Sequence, residues 1–263
     1  MCFYYSVRKM AGEGREHMAL LRLDRIIVSM GSYSRKEVRQ LVKNGRIRVN
    51  ERIAAASDEK YDPETVRIFL DEEPLLYRRH IYIMMHKPSG ILSATEDGRS
   101  ETVLDRLPQP LKKQGLFPVG RLDKDTEGLL LLTNDGALAH RLLAPRSHVN
   151  KVYYAKVEGT LTEEDAQRFA KGMLLPDGLH CMPAQLQILN DGKEALVTVQ
   201  EGKFHQVKRM LAACGKPVCY LKRLSMGPLQ LDSTLERGQW RYLTSDEEQQ
   251  LEKAGECGSL VQK

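Results

Sequence analysis

Hydrophobic positions near the start of the chain follow a helical period. Apolar residues spaced three and four apart predict a short helix over residues 20 to 30, which Gly31 ends. Ser34, followed three residues later by Glu37, is the signature of a capping box and predicts a second helix to about Asn44. Alternating basic and apolar residues around an Asn-Glu turn then predict a β-hairpin.

Strand-like patterns dominate the chain from residue 81 onward. Short β-like runs are predicted at residues 81–85, 128–132, 151–157, 185–189, 195–200 and 218–224. Helical patterns interrupt them at residues 136–143, 162–172 and 205–213. Because helices and strands do not alternate regularly, we expect an α+β fold whose mixed, mainly antiparallel sheet is flanked by helices.

These patterns divide the chain into segments. We expect a small helix-rich domain over residues 19–73, a linker over 74–80 and a larger domain over 81–245. The polar residues 246–263 are predicted to be a frayed helix and C-terminal tail. Residues 1–18 lack periodicity, and we interpret them as a non-structural extension; alternatively, residues 1–17 are upstream sequence and Met18 is the true start.

Composition narrows the class of protein. No apolar run approaches the roughly 20 residues of a transmembrane helix, so we expect no membrane partner. The five cysteines contain no CxxC pair, which argues against a disulfide framework or a zinc site and suits a reducing cytoplasm.

Positive charge is concentrated in the first predicted domain. Residues 21–57 contain nine Lys and Arg against three acids, a local net charge of +6. Arg35, Arg39 and Lys43 share one helix face, and Arg46 and Arg48 share one strand face. A solvated basic surface would also explain the charge, but like charges stacked on one helix face favour a polyanionic partner.

The same segment resembles the S4 RNA-binding domain. The matching residues are Arg22-Leu23-Asp24, Ser34-Arg35 and Gly45-Arg46-Ile47-Arg48-Val49-Asn50. The resemblance implies that this helix and hairpin contact structured RNA. The residues expected to do so are Arg22, Arg35, Arg39, Lys43, Arg46 and Arg48.

The segment Gly120 to Gly136 is richest in candidate chemistry, because acids and a turn glycine precede a buried strand. Its acidic spacing partly fits a calcium-binding EF-hand loop. The loop's last position, which should be glutamate, is Asn134, and an apolar strand replaces the exiting helix. We therefore expect no metal here.

This segment closely resembles the catalytic motif of pseudouridine synthases, and its Leu-Leu-Leu-Leu-Thr-Asn-Asp-Gly ending is similar to the RsuA family. The family's aspartate falls on Asp123. Three further motifs follow the family order: His86 to Gly90, Lys151 to Tyr154, and Glu201 to Met210. By this resemblance the catalytic residues are Asp123, Tyr153 and Lys208, with Lys208 as the cation beside Asp123. Tyr153 is expected to offer its ring to the base, and its hydroxyl is a candidate for the proton transfer at C5.

Other residues take roles by the same resemblance. Arg121 is expected to fill the space that the flipped uridine leaves, or to contact a phosphate. His205 and Gln206 are expected to orient the loop before Lys208. Tyr154, on the opposite strand face, is expected to be a packing residue. The reaction implied is redox-neutral, so no cofactor is expected.

The sequence thus predicts isomerisation of uridine to pseudouridine in ribosomal RNA, with small-subunit (16S) rRNA favoured by the Phe204 to Met210 motif. The expected partner is ribosomal RNA or a ribosome assembly intermediate, bound by a cytoplasmic monomer. Two alternatives stay open at this point: a large-subunit rRNA target, and a non-catalytic S4-type assembly factor. A metal-dependent hydrolase is disfavoured, because clustered ligands are lacking.

Overall fold

The structure is a computed structural model, and it describes residues 20–30, 33–75, 77–144 and 147–256. The chain divides into two compact units on either side of the Arg79–His80 bond. The expectations for residues 1–18 and for Gly31 fall outside the described residues. No described helix is long and apolar enough to cross a membrane.

The N-terminal unit combines two short helices with short strands. Its elements are β1 (Leu21–Arg22), α1 (Leu23–Ser29), α2 (Arg35–Lys43), β2 (Ile47–Val49), β3 (Arg52–Ile53), β4 (Lys60–Tyr61), β5 (Ile68–Leu70) and β6 (Glu73–Leu75). Strands β3, β2, β5 and β6 form an antiparallel sheet in that order, and β1 pairs with β4. The core contains Leu23, Ile26, Ile27, Val38, Leu41, Ile47 and Ile68.

Local chemistry sets the bounds of these helices. The predicted capping box at α2 is confirmed, since the Ser34 hydroxyl accepts from the backbone N–H of Glu37 and the Glu37 carboxylate accepts from that of Ser34. Helix α1 begins at Leu23, later than predicted, because Leu21 and Arg22 pair with β4. Pro74 and Leu75, which the sequence placed in a linker, belong to β6.

The C-terminal unit is built on a large sheet. Its first elements are β7 (Tyr82–Lys87), a 3₁₀ turn (Val103–Arg106), α3 (Gln109–Lys112), β8 (Phe117–Pro118), β9 (Glu127–Thr133), α4 (Gly136–Leu143), β10 (Lys151–Val157) and α5 (Glu163–Lys171). Then follow β11 (Met173–Leu174), β12 (His180–Cys181), β13 (Gln185–Leu189), β14 (Glu194–Val199), α6 (Gln206–Ala213), β15 (Val218–Met226), β16 (Leu229–Gln230), β17 (Trp240–Tyr242) and α7 (Ser245–Glu256).

The main sheet has nine strands, of which seven run in the order β13-β14-β10-β15-β9-β7-β17. Only β9 and β15 pair in parallel within this path, and the other neighbours are antiparallel. The predicted α+β class with a mixed, mainly antiparallel sheet is therefore confirmed. The parallel pair matters most for function, because the loop entering β9 carries Asp123.

Both faces of the sheet are covered. On one face, Leu130 and Leu132 of β9 pack with residues of α5 and α6. On the other, Leu129 and Leu131 pack with residues of α4 and with Leu251 of α7. All seven residues of β9 are buried, as expected for a central strand covered on both sides. The helix predicted from Asp246 is α7, which begins one residue earlier at Ser245 and is anchored by the fully buried Leu251.

Candidate active site

Asp123 and Lys208 face each other across two elements of the C-terminal unit. Asp123 lies in the loop between β8 and β9, and Lys208 lies in the first turn of α6. The Lys208 ammonium nitrogen is 3.1 Å from Oδ2 of Asp123 and 2.5 Å from Oδ1 of Asp125. This charge-assisted contact holds the Asp123 carboxylate in one orientation. The same ammonium lowers the pKa of Asp125.

His205 lies on the other side of the same carboxylate. Its Nε2 is 3.5 Å from Oδ1 of Asp123, so it faces the carboxylate. The neighbouring Gln206, which is buried, closes the loop before α6: its amide donates to Glu201 at 2.7 Å and accepts from the backbone N–H of Lys203 at 3.1 Å. The geometry thus gives Gln206 a loop-closing position and places His205 in the site itself.

Lys87 is fully buried beneath the Asp123 loop. Its ammonium donates to the carbonyl oxygens of Pro88, Asp123, Lys124 and Thr126, at 2.9 to 3.2 Å. Burial lowers its pKa to about 8. Three of these carbonyls belong to the Asp123 loop, and their contact with one cation folds that loop into a tight turn, which presents the Asp123 side chain on the outside.

Tyr153 lies at the bottom of a cavity of about 630 Å³ that also contains Asp123 and Arg121. It is 9% exposed, on β10. Tyr154 points to the other face, where its ring packs edge-on against Tyr220 at 6.1 Å. Arg121 is exposed and forms no ion pair with a described residue. The structure therefore brings Asp123, Tyr153 and Lys208 together, although they are far apart in sequence.

Two buried cations line the same cavity. Arg223 pairs with Tyr153 across β10 and β15 and is 2% exposed. Its Nε donates to the carbonyl of Leu129 at 2.8 Å, whereas its Nη2 has no hydrogen-bond partner among the described residues. Lys151 donates to backbone carbonyls, and burial, with repulsion from Arg223, lowers its pKa to about 8. The bottom of the cavity is therefore electropositive.

Sequence reasoning missed the positions of these cations. Lys87 and Lys151 lie in motifs that were recognised, but no role was derived for them. Arg223 could have been noticed as a cation within the apolar alternation of β15, where the buried positions include Leu221 and Met226. A charged residue at a buried strand position indicates either a paired ion or a functional site.

Gly128 allows the close approach of β9 and β15. A Cβ at this position would lie against the backbone oxygen of Arg223 and 2.6 Å from its nitrogen. The φ of Gly128 is +110°, a conformation that L side chains rarely adopt. The glycine therefore lets the parallel pair form next to the Asp123 loop.

The basic residues of the N-terminal unit fall into two groups. Arg35, Arg39 and Lys43 are exposed on α2, and none forms an ion pair with a described residue. Three other arginines are each paired with a carboxylate: Arg22 with Asp24, Arg46 with Asp71, and Arg48 with Glu72.

These ion pairs were not predicted from the sequence, and the expected contact of all six residues with RNA stays a prediction. The partners of Arg46 and Arg48 come from later in the chain. They are Asp71 and Glu72, which lie between β5 and β6. Arg48 also lies 3.9 Å over the ring of Phe69. The open charge of the unit is thus concentrated on α2.

Comparison with known proteins agrees with the geometry. The family model described as RNA pseudouridylate synthase matches residues 81–213, and the S4 domain model matches residues 21–65. The uncharacterized RNA pseudouridine synthase YtzG of Bacillus subtilis is 46% identical over 86% of this chain and 96% of its own length. The ribosomal small subunit pseudouridine synthase A of Vibrio cholerae is 38% identical over 86% of this chain and 97% of its own.

A solved structure shows the same fold. The crystal structure of a pseudouridylate synthase superposes with a TM-score of 0.62 at 33% identity and covers 88% of this chain and 99% of that one. Since the family model spans Asp123, Tyr153 and Lys208 and full-length relatives exceed 30% identity, the chain belongs to the RNA pseudouridylate synthase family and carries an S4 domain ahead of the catalytic unit.

Proposed function

We propose that this enzyme converts one uridine of small-subunit ribosomal RNA to pseudouridine, with Asp123 as the catalytic carboxylate. The observation that carries the proposal is the Asp123–Lys208 contact of 3.1 Å at a cavity that also holds Tyr153. The choice of RNA is supported by the full-length likeness to the small-subunit enzyme of Vibrio cholerae.

The reaction is an isomerisation. The N1–C1′ bond of uridine breaks, the C5–C1′ bond forms, and the hydrogen of C5 is replaced by one on N1. The target base must leave the RNA stack to reach Asp123. Tyr153 offers its ring inside the cavity as a surface for that base. Arg121 lines the same cavity, and its guanidinium fills the space that the flipped base leaves in the RNA stack.

Asp123 acts on the ribose, either by attacking C1′ or by removing a proton from the sugar. Both roles require an ionised, oriented carboxylate, and Lys208 supplies the orientation. The buried cations Lys151 and Arg223 favour the electron-rich carbonyl edge of the uracil in this cavity. The exposed cations of α2 bind phosphates of the RNA backbone.

Pseudouridine mapping of ribosomal RNA tests the proposal. Carbodiimide treatment and primer extension would compare cells with the gene, without it, and with the gene encoding Asp123→Asn. We expect one modified position of small-subunit rRNA to be lost in the last two strains. A lost large-subunit position would keep the chemistry and overturn the proposed RNA. No lost position in either would contradict a role in rRNA modification.

A further inference from the structure

A bare aromatic ring lies at the rim of the cavity that holds Asp123. Phe204 leaves 75% of its surface exposed, and it lines the same cavity as Asp123 and Tyr153. Tyr153, by contrast, is 9% exposed and reachable only from inside the cavity. Single exposed apolar residues are common on protein surfaces, so exposure alone assigns no role to Phe204.

The ring of Phe204 is held by a stack. Its centroid is 3.8 Å from that of the His205 imidazole, and the two planes differ by 20°. The Nε2 of His205 is in turn 3.5 Å from Oδ1 of Asp123. One side chain therefore separates the exposed ring from the reacting carboxylate, while the high exposure leaves the outer face of Phe204 open.

The backbone of His205 makes this stack possible. Its φ of 49° and ψ of 31° place it in the left-handed region, just before α6. Consecutive side chains in an extended segment point to opposite sides, whereas the left-handed turn brings the two rings face to face. A glycine would adopt this conformation with less strain, so contacts of the histidine side chain offset the cost.

Charge around Phe204 indicates the kind of ligand that fits it. Arg121 and Lys124 line the same cavity and are both exposed. An aromatic ring beside exposed cations is the combination that binds single-stranded nucleic acid, because the ring stacks on a base while the cations follow the phosphates. A protein partner would favour a wider apolar surface.

We propose that Phe204 is the stacking platform for a base adjacent to the target uridine. The inference rests on the proposed function, since its ligand is the RNA strand from which that uridine is flipped. When the uridine leaves the stack, each flanking base loses a stacking partner. The outer face of Phe204 restores one partner and fixes the strand at the cavity entrance.

Substitutions at Phe204 test the role of the ring. The assay is tritium release from small-subunit rRNA transcripts labelled with [5-³H]uridine, because the label leaves C5 during the reaction. We expect Phe204→Ala and Phe204→Leu to lower kcat/KM roughly 5- to 150-fold, the range for one lost base–aromatic stack, mainly through KM. Phe204→Tyr keeps a ring and should stay near wild type. Leu174→Ala, at another exposed apolar residue of the unit, is the matched control.

A double-mutant cycle separates stacking from an indirect effect through His205. Short RNAs spanning the mapped uridine would carry an abasic site at its 5′ or 3′ neighbour. For one of these RNAs, the abasic site should lower kcat/KM of the wild-type enzyme. The same abasic site should have little effect on kcat/KM of Phe204→Ala, because that variant has already lost the stack. Additive losses for both RNAs would overturn the platform and assign the ring a positioning role.

The outcomes distinguish the two proposals. If wild type releases no tritium from transcripts of small-subunit or of large-subunit rRNA, the proposed function fails and the platform fails with it. If wild type is active and Phe204→Ala matches Leu174→Ala, only the platform is overturned. The platform is supported if Phe204→Tyr stays active, Phe204→Ala and Phe204→Leu lose activity, and the double-mutant cycle is not additive.

Discussion

Gly128→Ala should destabilise the catalytic unit strongly. The added methyl would lie against the backbone of Arg223, including its nitrogen at 2.6 Å, and backbone cannot rotate away as a side chain can. The parallel pairing of β9 and β15 joins Gly128 to Arg223 directly, so relief of the clash requires the two central strands to separate.

The magnitude follows from two costs. A non-glycine residue at φ of +110° costs about 1–3 kcal/mol. Overpacking a well-packed interior adds about 1–3 kcal/mol. Since 1 kcal/mol shifts the melting temperature by about 2–4 °C in domains of about 150–250 residues, we expect a loss of roughly 5–20 °C.

Thermal unfolding followed by circular dichroism or calorimetry measures this loss. Gly98→Ala is the control, because a Cβ at Gly98 meets nothing within 4 Å and its φ is not in the left-handed range. Its melting temperature should stay close to that of wild type. If Gly128→Ala melts no lower than Gly98→Ala, β9 can move away from β15 at little cost, and the reasoning from close approach is refuted.

Three further predictions concern charge. Asp123→Asn should abolish tritium release while RNA affinity, measured by filter binding, stays near that of wild type; appreciable turnover would argue against a catalytic carboxylate. Replacing Arg35, Arg39 and Lys43 of α2 together by neutral residues should weaken RNA binding. The slope of log K against log salt concentration should become shallower by up to about three units, one for each lost phosphate contact. Because burial lowers the pKa of Lys151 to about 8, the unfolded chain holds more protons than the folded one between about pH 8 and 10.5. This lysine therefore makes the free energy of unfolding rise with pH over that window. Lys151→Met should remove up to about 3 kcal/mol of the rise in urea titrations, and an unchanged pH profile would contradict the buried charge.

The elements that could be predicted are those in which apolar residues recur with a regular strand or helix period. Strands β10 and β13 and helix α4 have the predicted bounds, since each has an uninterrupted period of its own. Strand β17 was missed because its three residues are too few to show a period, and its pairing with β7 comes from distant sequence. Helix α7 was predicted only as a frayed helix, because the polar segment does not show that Leu251 packs into the core.

The site shows the same limit. The family resemblance predicted Lys208 beside Asp123, whereas the local pattern around either residue does not, because their contact depends on how α6 meets the loop entering β9. Ion pairs across the first unit could not be predicted either, because Arg46 and Asp71 are 25 residues apart. Local sequence reports local periods and caps, whereas partners at this separation depend on tertiary packing.

Lys87 acts on the Asp123 loop through backbone oxygens, much as a bound cation organises a ring of carbonyls. The exposed side chain of Lys124 is therefore not needed to keep the shape of that loop. Lys124, exposed at the mouth of the cavity, could change charge or size while Asp123 keeps its place. A loop built this way allows substrate preference to diverge among related enzymes while the reactive carboxylate stays where it is.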